Sequence, residues 1–109
     1  MSWAVVYLPE AEKDLRQLDG SQRLLVLKAI RKVRENPLPV DEGGYGKPLG
    51  SRGGKTLTGL MKVKLRSAGL RIVYKLIRTE REMLVVVIGA RADDQVYETA
   101  KHRTEKYGI

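Results

Sequence analysis

Between residues 62 and 71 the chain carries four cations, Lys62, Lys64, Arg66 and Arg71. They are set among apolar residues at a spacing of two: Met61, Val63 and Leu65 alternate with Lys62, Lys64 and Arg66. Successive side chains of a strand point to opposite faces, so this pattern puts the three cations on the face away from the apolar set. Ser67-Ala68-Gly69 reads as a turn, and Arg71 then opens a second strand that returns alongside the first. Like charges held together make each lysine easier to deprotonate, because each disfavours charging of its neighbours. Such a group binds phosphate, and its lysines can take a proton. The same alternation also describes a solvated face with edge-protecting lysines, so alternation by itself leaves both readings open.

Further along, Arg91 ends an apolar run and Tyr97 follows six residues later. Strand ends and the loops after them often carry function, and a tyrosine can stack on a base or hydrogen-bond a phosphate. A surface ion pair with Asp93 or Asp94, and a ring packed on the sheet, are the plain alternatives for these two residues. Arg52 and Lys55 lie in a Gly- and Pro-rich stretch, Pro37–Thr56, which is read as a long basic flap. Within it, Gly50-Ser51-Arg52-Gly53-Gly54-Lys55-Thr56 falls one residue short of the phosphate-binding glycine loop, and no buried strand precedes it. His102 is the single histidine, which excludes a histidine acid–base pair. Asp93-Asp94, Glu10 and Glu12 have helix-cap or first-turn positions and no metal-ligand spacing, so no metal and no cofactor is expected.

The elements that must position these residues follow from periodicity. Trp3–Leu8 reads as a strand. Pro9, with Glu10 and Glu12, suits the first turn of a helix whose inner stripe is Ala11, Leu15 and Leu18. Asp19-Gly20 ends it, Ser21 can cap a second helix, and Leu24, Leu27, Ile30 and Val33 form the next stripe up to Asn36-Pro37. After the flap come strands at 61–66, 71–78 and 83–89. The last is apolar on both faces, as a covered central strand would be. Asp93 or Asp94 can cap a final helix in which Val96, Tyr97, Ala100 and Thr104 point inward. The order β-α-α-β-β-β-α gives an α+β sandwich: a helical hairpin on a mainly antiparallel four-stranded sheet, with the helices on one face.

Composition sets the outer bounds. The 109 residues predict one domain spanning 1–109. There is no cysteine, which excludes disulfides and thiolate metal sites and fits a reducing compartment. The apolar runs are too short for a bilayer and no targeting segment is evident, so a cytoplasmic protein with no membrane partner is expected. A formal charge of +8 and a pI near 9.9 favour a polyanionic partner.

The run from Gly59 to Tyr74 resembles the central segment of the RelE messenger-RNA interferases. Val87-Ile88-Gly89-Ala90-Arg91 with Val96-Tyr97 is similar to their later part, and Tyr7-Leu8-Pro9-Glu10-Ala11 with Asp14-Leu15 and Leu18-Asp19 to their start. The resemblance covers nearly the whole chain and implies the RelE/ParE fold. These enzymes place two lysines on one strand, an arginine at the start of the next, an arginine after the last strand and a tyrosine beyond it. Lys62, Lys64, Arg71, Arg91 and Tyr97 stand at those positions, a set that ParE-type gyrase poisons generally lack.

The resemblance further implies the toxin of a toxin–antitoxin pair. Its substrate would be mRNA in the ribosomal A site, cut without metal by attack of the nucleotide's own 2′-hydroxyl. Lys64, or the Lys62/Lys64 pair, would take that proton; Arg71 and Lys62 would hold the phosphate; Arg91 would steady the leaving oxygen; Tyr97 would orient or stack the nucleotide; and Arg66, with Lys55 and Arg52 on the flap, would bind the RNA. The implied partners are a cognate antitoxin, the ribosome and mRNA. Two other functions fit the same sequence: gyrase inhibition on the same fold, as in ParE, and a non-enzymatic basic nucleic-acid-binding module.

Overall fold

The computed structural model describes residues 2–52, 55–90 and 95–109. Strand β1 (Ala4–Tyr7) leads into helices α1 (Pro9–Gln17) and α2 (Gly20–Val33). Strands β2 (Lys47–Arg52), β3 (Lys55–Leu65), β4 (Leu70–Ile77) and β5 (Glu82–Ala90) follow, and helix α3 (Gln95–Tyr107) comes last. The strands form one sheet in the order β1-β5-β4-β3-β2. Its ladders are antiparallel except that of β1 with β5, which is parallel.

The α+β class and the element order match the sequence reading, but the sheet has five strands and not four. The extra strand, β2, lies inside the stretch read as a flap. Its Gly, Pro and Lys content masks a strand that exists because the edge of β3 is there to pair with it. The segment before β2 is also ordered by hydrogen bonds. Tyr45 N–H donates to the Asn36 carbonyl, Gly46 N–H to that of Leu38, and Val40 N–H to that of Gly46. Beneath them the fully buried Tyr74 hydroxyl donates to the Pro37 carbonyl at 2.6 Å. A Cβ on Gly46 would collide with that hydroxyl, so the tight packing requires glycine.

The helical hairpin forms for local reasons. Pro9 occupies the first turn of α1. Asp19, not Ser21, caps α2: its carboxylate accepts from Gln22 N–H at 2.8 Å, and Ser21 Oγ donates to the same oxygen. Arg23 satisfies the last carbonyls of α1, donating to the Leu15, Arg16 and Leu18 oxygens. The buried stripe of α2 is Val26, Ile30 and Val33, whereas Leu24 and Leu27 are exposed. Leu24-Leu25-Val26-Leu27 is an unbroken apolar run, so spacing alone leaves the phase of the stripe open.

The expectation that all helices share one face is corrected. Ile72 and Tyr74 of β4 point toward the segment after α2, as the Tyr74–Pro37 bond records. Arg71, one residue out of phase, points to the other face and meets Tyr97 of α3. Gly89 sits opposite Arg71 across the ladder, and Val96 of α3 packs over it. Strand β5 is an interior strand, between β1 and β4, and is covered on both faces as its two-sided apolarity predicted, with Val85, Val86, Val87 and Ile88 all buried.

One edge of β5 needs its own solution. Strand β1 ends at Tyr7, opposite Val85, and leaves the outer edge of β5 unpaired beyond that point. There the β4–β5 register slips by one, making Val86 the extra residue of a bulge. Arg103 of α3 donates to the Val86 carbonyl at 2.9 Å, and Ile88 N–H donates to the Asp14 carboxylate of α1 at 3.1 Å. Asp14 and Arg103 also bind each other, at 2.7 Å, with both side chains mostly buried. This clasp completes the open ladder and joins α3 to α1. Removing one member leaves the other buried and uncompensated. Asp14→Ala should therefore lower stability by about 2 kcal/mol, read as a drop in the urea midpoint with unchanged slope. A midpoint equal to wild type would show that the clasp contributes nothing.

Candidate active site

The register of β3 with β4 sets the site. Lys64 pairs directly with Arg71, and Lys62 with Val73. The turn between them is a short 3-10 segment, Arg66–Ala68, closed by Gly69 at φ 65°, a left-handed conformation that favours glycine. Directly opposed residues in such a ladder hold their Cβ atoms about 5 Å apart. The fold thus forces the Lys64 and Arg71 side chains to begin side by side.

Tyr97, in the first turn of α3, is held beneath them. Its ring is buried among Val96, Ala100 and the sheet. The Arg71 guanidinium lies 5.4 Å from the ring centroid and donates through Nη1 to the phenol oxygen. The Lys62 ammonium lies 5.7 Å from the same centroid. One tyrosine therefore faces two cations, and the negative face of its ring offsets part of their repulsion. Arg71 Nε is buried without a hydrogen-bond partner among the described residues, a donor whose lost hydration is not yet repaid.

Among the described residues, the charged groups that shift Lys64 are cations. Lys62 contributes most, then Lys47; partial burial, Arg71 and Arg66 add to it, and together they hold the Lys64 ammonium below the usual lysine range. The sign follows. Just below the ordinary lysine pKa the unfolded chain keeps a proton on Lys64 that the folded chain has begun to release. In that window this group's contribution makes stability rise with pH, and at neutral pH the cluster works against folding.

The structure thus brings Lys62, Lys64, Arg71 and Tyr97 together. Arg66 is exposed in the turn at their rim. Arg52 and Lys55 pair with each other at the far end of the β2–β3 hairpin, roughly 20 Å along the strand from Lys62 at 3.3 Å per residue. Arg91, with the caps expected at Asp93 or Asp94, lies outside the described residues. His102 is exposed on α3. Lys47 was hidden in sequence because β2 was. Its pairing with Lys62 is what places it near the group. Among the described residues no three His, Cys, Asp or Glu side chains gather as metal ligands would, and no helix is long and apolar enough to cross a membrane.

Comparison with known proteins bears out the resemblance read from the sequence. No protein-family model matches the chain. A putative RelE-like toxin protein of Escherichia coli is 27% identical over 103 residues, spanning 94% of this chain and 98% of the relative. The structure of a double-arginine variant of Escherichia coli RelE in the free state superposes with a TM-score of 0.73 at 27% identity, again over 94% of this chain and 98% of that one. RelE in the intact Escherichia coli RelBE toxin–antitoxin complex matches with a TM-score of 0.63 at 26% identity, over 82% and 96% of the two chains. The chain therefore has the fold of RelE toxins and resembles them in sequence over nearly its whole length.

Replacing Lys62, the largest contributor, by methionine should raise the Lys64 pKa back toward the ordinary lysine range. Titration of the lysine side-chain carbons by NMR would follow it. An unmoved Lys64 titration would contradict the account.

Proposed function

We propose that this chain is the toxin of a toxin–antitoxin pair, a metal-independent endoribonuclease of the RelE type that cuts mRNA in the ribosomal A site. The observation that carries the reading is the group formed by Lys62, Lys64 and Arg71 over Tyr97, on a chain similar to a RelE-like toxin over 94% of its length. The neighbouring RelBE complex supports an antitoxin partner. The charge of +8 suits the ribosome and RNA as further partners, acting in the cytoplasm.

The chemistry follows from what a cation group can do. The 2′-hydroxyl of the substrate nucleotide attacks the adjacent phosphorus, and the bond to the 5′-oxygen breaks. The products are a 2′,3′-cyclic phosphate and a 5′-hydroxyl. The phosphorane-like transition state carries more negative charge than the substrate. Cations fixed in advance stabilise it preferentially, and that difference is catalysis.

Lys64, its pKa lowered by its neighbours, accepts the 2′-hydroxyl proton, with Lys62 beside it. Arg71 and Lys62 hold the phosphate oxygens. Arg91 steadies the departing 5′-oxygen, which takes a proton from water to leave as the hydroxyl. Tyr97 orients the cations and, through them, the nucleotide. Arg66 adds affinity for RNA at the rim, while Arg52 and Lys55 engage it farther along the hairpin. Side chains this weak as acids and bases need the strand positioned for them, and the ribosome supplies that positioning.

The test is primer extension on a translated mRNA with purified ribosomes. Wild type should cut within A-site codons. Lys64→Ala should lose at least a hundredfold in rate, the lower range for a missing general base. Arg91→Ala should abolish cleavage while ribosome binding persists. Uncut mRNA with folded wild type would reject the reading, and gyrase-dependent DNA damage on expression would replace it with the ParE-like one.

A further inference from the structure

We propose that a cleft at the open edge of β3 is a second RNA subsite, which seats a nucleotide flanking the scissile phosphate with its base against Tyr45. The proposal rests on the reading of the chain as an RNA-cleaving toxin and adds to it a binding site that adjoins the catalytic group and shares Lys62 and Lys64 with it.

Strand β2 begins at Lys47, opposite Lys62, so β3 from Val63 to Leu65 has no strand on that side. A cleft of about 320 Å³ opens there, between this edge and the last turns of α2. Val33, Val63 and Leu65 make its floor apolar. Tyr45 forms one wall and is 48% exposed, although its backbone is fixed by the hydrogen bond to Asn36 and by the packed Gly46 beside it. An exposed aromatic ring on a rigid turn is prepared for a partner, since little entropy is lost when it is covered.

The rim carries the charge. Lys32, Lys47, Lys62, Lys64 and Arg66 surround the cleft, and no acidic residue lines it among the described residues. The Lys32 ammonium stands 5.2 Å from the Tyr45 centroid. An aromatic ring and an apolar floor inside a cationic rim are what single-stranded nucleic acid requires: a base stacks and the phosphates on either side are neutralised. Lys62 and Lys64 belong both to this rim and to the catalytic group, so a strand held at one continues into the other. The volume suits one base, and the unmixed positive rim favours a polyphosphate over a peptide of mixed charge.

The experiment uses a labelled hexanucleotide RNA made uncleavable by 2′-O-methylation, titrated by fluorescence anisotropy at several salt concentrations. Tyr45→Ala should weaken binding roughly tenfold, the size of one lost base–aromatic stack, whereas Tyr45→Phe should bind as wild type. Lys32→Ala should reduce the slope of log affinity against log salt by about 0.7, one phosphate contact. In ribosomal cleavage Tyr45→Ala should raise KM and leave kcat unchanged. Tyr45 is half exposed, so the variant is expected to keep its fold, checked by an unchanged Tm. If wild type binds or cuts and Tyr45→Ala matches it in both assays, the subsite is wrong and the toxin reading stands. If wild type neither binds nor cuts, the toxin reading fails and the subsite with it. If Tyr45→Ala loses only the binding of an acidic peptide, the cleft serves a protein and the proposal is overturned.

Discussion

The repulsion among Lys62, Lys64, Arg71, Arg66 and Lys47 is the constraint around which this small protein is organised. Left to themselves, these side chains would separate into water. The ladder forbids it: Lys64 stands directly opposite Arg71, and Lys47 opposite Lys62 from the other side. The opposite face of the same strands anchors that ladder through Met61, Ile72 and Tyr74, all buried. Burial of apolar surface thus holds together a charge arrangement that electrostatics alone would disperse. A strained electrostatic group on a rigid sheet is prepared for a polyanion before one arrives.

The second requirement is to hold α3 where its tyrosine meets those cations. Val96, Tyr97 and Ala100 supply packing, but packing alone leaves a helix free to slide. The Asp14–Arg103 clasp fixes it, because both members also bond the exposed edge of β5. Near the end of α3 the Glu10 carboxylate accepts from Lys106 and Tyr107, each at 2.8 Å, which adds a second tie to α1. These tethers reach Tyr97 through a single helix, so the position of the phenol beneath Arg71 depends on residues more than a turn away.

Much of this was legible in the sequence, and the failures have identifiable causes. Alternation from Met61 to Arg66 placed Lys62 and Lys64 on one face, and the turn at Gly69 placed Arg71 beside them, because period and turn chemistry are local properties. The final helix was legible for the same reason: its apolar positions recur at helical spacing. The strand at 47–52 was not, since its pairing partner and not its own composition makes it a strand. The phase of α2 was ambiguous because four apolar residues in a row offer two stripes. Asp14 and Lys47 were hidden for a related reason. Each acts on a residue distant in sequence, at an edge that exists only once the sheet is assembled.

The central claim is that the protein supplies fixed cations and the RNA supplies its own nucleophile. It is tested most directly by a single atom in the substrate. A translated mRNA carrying one 2′-deoxynucleotide immediately 5′ to the scissile phosphate, in the A site, should bind the ribosome-engaged toxin as the all-ribose message does and remain uncut there. Cleavage of the deoxy message at that position, at a rate near that of the normal one, would mean that water or a protein group is the attacking atom and would contradict the account.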